Sequence, residues 1–261
     1  MTALQVHIEG VGFWSRGLPS WQAAQDCLRD GSAPDLAPGK PSPQLLAPNE
    51  RRRAPETVAV ALEVALAACT DAGRDPASLP SIFASTHGDL AITDYMCSTL
   101  ASEPRTISPT RFHNSVHNAA AGYWTIGAGT MQPATALSAY DGSFAQGLLE
   151  AAVQLATGSE AVLLVGYDSQ ASGPLARVSC SEGLLGGALV LSRQPCTGRV
   201  ALRLWLADGD VDASTGPLSS HARGNAMTTM LPLFEALAAR QSHARLKAGP
   251  GRMLQLELMH D

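Results

Sequence analysis

Residues of reactive type gather in three places along this 261-residue chain. The first is Ala139-Tyr140-Asp141-Gly142-Ser143, where a short apolar run, Ala134 to Ser138, meets the start of a helical pattern. A sharp strand-to-helix turn suits acyl transfer, because a helix N-terminus favours developing negative charge and lowers a thiol pKa. This elbow has no thiol. Ser143 offers a hydroxyl, but a Ser-His-acid site needs that oxygen exposed with a histidine in reach. The G-x-S-x-G pattern is missing, since Asp141 and Ala145 stand where its glycines would be. The second place is Phe112-His113-Asn114, then His117-Asn118. Two histidines four apart can share a helix face as metal ligands, but no HExxH pattern accompanies them, so no metal is expected. The third is Thr86-His87-Gly88-Asp89. His87 is of general-base type, yet no nucleophile is identified near it, and it reads as an ordinary loop histidine.

The elbow needs elements to hold it. Phe144, Leu148, Leu149, Ala152 and Leu155 recur at helical spacing, and Gly158 closes that helix. Ala161 to Val165 is continuously apolar, as in a strand buried on both faces. Before the elbow, Val6 to Phe13 reads as a strand and Ser20 as the N-cap of a helix from Trp21 to about Arg29. Gly31 to Pro48 is Pro-, Gly- and Ser-rich loop. A long helix is expected from Pro48 or Asn49 to Ala72, ended by Gly73, with Arg51-Arg52-Arg53 near its start. Ser81 to Ser85 reads as a strand and Ile92 to Ala101 as a helix, with Cys97 in the core. Ala119 to Trp124 opens a small-residue helix. After the elbow come strands at Gly183 to Ser192 and Val200 to Trp205, a polar loop from Asp208 to Asn225, a helix from Met230 to Arg240, and a last strand from Arg252 to Met259. Strands alternating with helices give an α/β protein with a mostly parallel, covered sheet. The whole chain, 1–261, reads as one domain.

Composition narrows the function. The net charge is −5 and the arginines are scattered apart from Arg51 to Arg53, which argues against a nucleic-acid surface. That arginine run reads as a solvated turn, or as a patch for an acidic partner. No apolar run approaches the roughly 20 residues that span a bilayer. MTALQVHIEGVGF lacks the basic and apolar regions of a signal peptide. Five cysteines without a CxxC pair suit reduced thiols in the cytoplasm.

An ordered set of motifs then points to a family. Ile107-Ser108-Pro109, Asn118, Ala121-Gly122, Pro133, Gly142, Gly147 and Val165-Gly166-Tyr167-Asp168 follow the order seen in β-ketoacyl synthases. The chain resembles the N-terminal half of a thiolase-fold ketosynthase. More specifically, Pro48 to Arg53, FASTHGD at 83–89, RFHNSVHNAAAGYW at 111–124 and LSAYDGSFAQGLLEA at 137–151 resemble short ketosynthase-like chain length factors of bacterial aryl polyene and xanthomonadin-type pigment clusters.

The resemblance implies a thiolase-like α/β fold, the N-terminal half only, and a degenerate elbow at Ala139, Tyr140 and Asp141. Aligning on Gly142 and Gly147 puts the family's cysteine position at Ala139; aligning on Asn118, Gly122 and Pro133 puts it at Asp141. Neither is cysteine, and the family's two catalytic histidines have no counterpart. No cofactor is implied. The expected role is a non-catalytic subunit that pairs with a complete β-ketoacyl-ACP synthase, as a heterodimer or higher heteromer, and shapes its acyl tunnel. Acyl carrier protein would be met indirectly, and a homodimer would form when the partner is absent. Interface and tunnel-wall residues carried over are Phe112, His113, Asn114, His117, Asn118, Ala120, Tyr123 and Trp124, together with the strand before Ala139. The alternatives are a purely stabilising subunit of a ketosynthase, and a serine hydrolase or acyltransferase using Ser143.

Overall fold

The computed structural model describes residues 3–260, so Met1, Thr2 and Asp261, the ends of the expected domain, lie outside the described residues. Its frame is one sheet of eight strands: β1 (Leu4–Ser15), β2 (Ser81–Ala84), β3 (Ala134–Leu137), β4 (Ala161–Asp168), β5 (Leu185–Ser192), β6 (Ala201–Asp208), β7 (His243–Gly249) and β8 (Arg252–Met259). They lie in the order β3-β2-β4-β5-β1-β6-β8-β7. The sheet is mixed, and the expectation of mostly parallel strands holds at one end only. β2 runs parallel to β3 and to β4, whereas every other neighbouring pair is antiparallel. The reason is local: β7 and β8 are joined by the tight Gly249-Pro250-Gly251 turn, and a hairpin can only be antiparallel.

Both faces of the central strands are covered. Along β4, Val162 and Leu164 enter one core, while Leu163, Val165 and Tyr167 enter the other. The alternation is the period-2 geometry of a strand, and burial on both faces explains the unbroken apolar run. One core packs under α1 (Trp21–Asp30), α7 (Ser143–Thr157) and α9 (Leu231–Ala238), where Phe13, Trp21 and Phe144 meet the Phe234 ring at 5.9 to 6.0 Å. The other packs under α3 (Glu56–Ala72) and α6 (Ala119–Gly127), with Phe83 between Trp124 and Tyr167. Glycine permits the close approach of α3 to β1: a Cβ on Gly12 would sit 2.0 Å from the Val64 carbonyl oxygen.

Several elements differ from expectation. The helix expected from Pro48 to Ala72 is two, α2 (Pro48–Arg53) and α3, because Pro55 drives Ala54 to an extended ψ of 133°. In α2, Arg51 donates to the Leu46 carbonyl and Arg52 to the Asn49 side chain, while Arg53 is exposed. The expected loop after Asp208 contains a short helix, α8 (Pro217–His221). Cys97, expected in the core, is exposed on α4 (Leu90–Ser102). β7 was not anticipated. It reaches back to α7, so residues of β6, β7, β8 and α9 share one core with that helix.

Candidate functional site: the elbow between β3 and α7

The turn from β3 into α7 is strained at one residue. Tyr140 has φ 53°; among the described residues the only other non-glycine with positive φ is Arg240. A bulky side chain in this region costs on the order of 1–3 kcal/mol and persists only where neighbours fix it. Here the Gly142 N–H donates to the Ala139 carbonyl at 3.0 Å. The Ser143 hydroxyl accepts from the Ala139 N–H at 2.9 Å and donates to the Tyr140 carbonyl at 2.6 Å. Strand β7 presses from outside: Gln146 Nε2 donates to the Ala248 carbonyl at 2.6 Å, and Lys247 pairs with Asp141 at 2.6 Å. Lys247 holds its proton more tightly than usual, first because of its hydrogen bond to Asp141. Gly142 occupies the N-cap position of α7, and the Asp141 carboxylate serves the ion pair.

Tyr140 is therefore the apex of the elbow, between the two alternative alignments at Ala139 and Asp141, and its ring is exposed. Ser143 is 1% exposed and its hydroxyl is committed to two backbone groups, which removes it as a free nucleophile.

Beneath the elbow lies a buried polar cluster at the ends of β2 and β4. Asp168 is fully buried and accepts from the Ser85 hydroxyl at 2.6 Å and from the Thr86 N–H at 3.1 Å to each oxygen. Burial pushes its carboxyl pKa up, against the opposing pull of those hydrogen bonds. Ser138, just before the elbow, donates to the Thr86 carbonyl at 2.7 Å, tying cluster to turn. His87 Nδ1 stands 3.8 Å from Asp168, and both ring nitrogens are buried without a hydrogen-bond partner. His117 Nε2 donates to the Ser85 carbonyl at 3.1 Å. In sequence, Thr86 and His87 and, separately, the Val165-Gly166-Tyr167-Asp168 motif stand out, but nothing in the spacing says that they meet.

The other expected site residues divide. α5 (Pro109–Asn114) ends before His117, so His113 and His117 share no helix face, and no cluster of three potential metal ligands occurs among the described residues. Phe112, His113 and Asn118 are exposed, and the His113 ring meets Tyr123 edge-on at 5.9 Å. Ala120, Trp124 and Asn114 are buried at 1%, 0% and 4% exposure. Ala120 and Trp124 pack in the chain's own core against α3 and Phe83. Small residues at 119–121 let α6 approach α3. Around them Val116, Ile126 and Met131 are exposed instead.

The model of the "Beta-ketoacyl synthase, N-terminal domain" family matches residues 20–251. The chain belongs to this family. Among solved structures, it resembles a chain of the ketosynthase ApeO in complex with its chain length factor ApeC from Xenorhabdus doucetiae, with 20% identity and TM-score 0.69 over 98% of this chain and 97% of that one. It resembles a chain of the ishigamide ketosynthase/chain length factor at 14% identity and TM-score 0.73, over 98% and 99% of the two chains. A chain of AntDE:AntF, a type II PKS acyl-carrier protein in complex with its ketosynthase, matches at 12% identity and TM-score 0.73 over 100% of both. At these identities the likeness establishes the thiolase-like ketosynthase fold. No curated protein matches. Among the described residues no helix is long and apolar enough to cross a membrane.

Proposed function

We propose that this chain is a non-catalytic, chain-length-factor-type partner of a complete β-ketoacyl-ACP synthase. In that role it helps to shape the synthase's acyl tunnel during aryl polyene or polyketide-type chain elongation in the cytoplasm. The observation that carries the reading is the elbow apex: the strained position holds the phenol of Tyr140, and a phenol forms no thioester. The neighbouring serine is locked into the backbone. A second support is the end of the sheet at β3, an edge strand, together with the exposed apolar side chains Phe112, Val116, Ile126 and Met131 in the segment that leads to it. Unpaired edges beside apolar side chains suit pairing with another chain. The full-length matches to chains of ketosynthase assemblies agree with this assignment.

The test is incubation with acyl-loaded carrier protein followed by intact-mass spectrometry, beside co-purification with a complete ketosynthase encoded nearby. The chain alone should carry no stoichiometric acyl group and should co-purify with that ketosynthase. Turnover of an acyl group by the isolated chain would overturn the proposal. Product length distinguishes tunnel shaping from mere stabilisation: Phe112→Ala or Tyr123→Ala in the complex should change the length distribution, whereas a purely stabilising subunit would alter yield alone.

A further inference from the structure

Away from the elbow, a cavity of about 370 Å³ opens where the end of β1 meets the segment between α8 and α9. Ser15, Arg16, Glu182, His221, Arg223 and Asn225 contribute its polar lining. Three observations mark it. The Arg16 and Arg223 side chains are exposed and have no hydrogen-bond or ion-pair partner among the described residues. The Ser15 hydroxyl, on a residue only 2% exposed, has no partner either. The frame around them is fixed: the His221 ring donates through Nε2 to the Arg16 carbonyl at 2.8 Å, and Asn225 Nδ2 donates to the carbonyls of Glu182 and Asp168 at 2.9 and 3.1 Å.

Some cations of the chain lie beside carboxylates, as Arg74 does with Glu9 and Glu160, or Arg199 with Asp71. What marks this cavity is that two unpaired guanidiniums and an unpartnered buried hydroxyl line the same space. A buried hydroxyl without a partner carries a desolvation cost, which a ligand oxygen would offset. Guanidinium forks match the oxygens of phosphate in pairs. Glu182 is the one carboxylate in the lining and opposes an anion; its side chain lies against Gly224, and its backbone N–H donates to the Gly224 carbonyl at 2.9 Å.

We propose that this cavity is a phosphate site, taking a phosphate ion or the phosphate of a small ester between Arg16 and Arg223, with the Ser15 hydroxyl at its floor. The site does not depend on the partner role proposed above. Asn225 joins its rim to the backbone of Asp168, and hence to the cluster beneath the elbow.

The experiment is calorimetric titration of the full chain with inorganic phosphate at constant ionic strength, kept constant with chloride, with glycerol 3-phosphate titrated alongside. Saturable binding is expected, weakened at least tenfold by Arg16→Gln and by Arg223→Gln, strengthened by Glu182→Gln, and unchanged by Arg203→Gln on β6. Equal binding of the ester leaves its organic part outside the cavity, while exclusive binding of the inorganic ion makes free phosphate the ligand; both support the site. Ser15→Ala should weaken binding while leaving the unliganded chain at least as resistant to urea, since it removes an unpaired buried hydroxyl. Absence of saturable binding, or binding that survives both arginine substitutions, overturns the proposal.

Discussion

Tyr140 and Glu9 are single residues whose physics can be measured directly. Tyr140 holds a left-handed conformation that glycine adopts without penalty, and its ring is exposed, so little packing is lost on removal. Tyr140→Gly should therefore raise the unfolding free energy in urea by about 1 kcal/mol. A fall of similar size would mean that the ring makes contacts that outweigh the backbone strain. Glu9 is held below the usual carboxylate range, first by its hydrogen bonds from Arg74 at 2.7 and 2.8 Å. With the folded pKa depressed, the stability this pair contributes is present above the unfolded pKa and is lost as pH falls through the folded one. Asp168 has the opposite sign: its raised pKa favours the folded state below the unfolded pKa, and that contribution is lost as pH rises through the folded value. Urea midpoints measured from neutral to acid pH should consequently fall less steeply in Glu9→Gln than in wild type. An unchanged acid limb would show that the pair does not govern it.

At the scale of elements, the elbow is a joint between three pieces, β3, α7 and β7, and the third could not be read from the pattern used for the first two. Ala161 to Val165 and Phe144 to Thr157 are legible because a sustained run with one pattern overrides local ambiguity. The alternation Ala244, Leu246, Ala248 against His243, Arg245, Lys247 is also a strand signal, but it is short and weakly apolar, and only β8 beside it makes it a strand. The break at Ala54-Pro55 was readable from the proline alone. The strained apex was not, because its conformation is imposed by Ser143 and the turn rather than preferred by tyrosine. Contact with β7 makes Gly142 intolerant of a side chain: a Cβ there would stand 2.9 Å from the Ala248 carbonyl carbon, a backbone atom that cannot rotate away. Gly142→Ala should cost roughly 1–3 kcal/mol in urea denaturation, the range for overpacking. Neutral behaviour would mean that β7 moves off the elbow with little resistance.

For the whole molecule, the contrast between buried and exposed residues of one segment separates folding from association. Sequence resemblance offers Phe112, His113, Asn114, His117, Asn118, Ala120, Tyr123 and Trp124 together as an interface, since small and apolar residues alone do not say which side faces a neighbour. The structure divides them: Ala120 and Trp124 are core, while Phe112 is exposed, as are the neighbouring Val116, Ile126 and Met131. Ala120→Asp places a carboxylate between α6 and α3 with no partner in range, and an uncompensated buried charge costs on the order of 3–5 kcal/mol. It should unfold the chain whether or not a partner exists. Ile126 is 78% exposed, so Ile126→Asp leaves the chain folded with an unchanged urea midpoint. If this face meets a ketosynthase, the same substitution desolvates a charge on association and breaks the complex. The measurement is co-purification and size-exclusion chromatography of wild type, Ile126→Asp and Phe112→Asp with the complete ketosynthase. Loss of the complex in both variants with folding intact places the interface beside β3. Wild-type levels of complex in both would move it elsewhere on the surface.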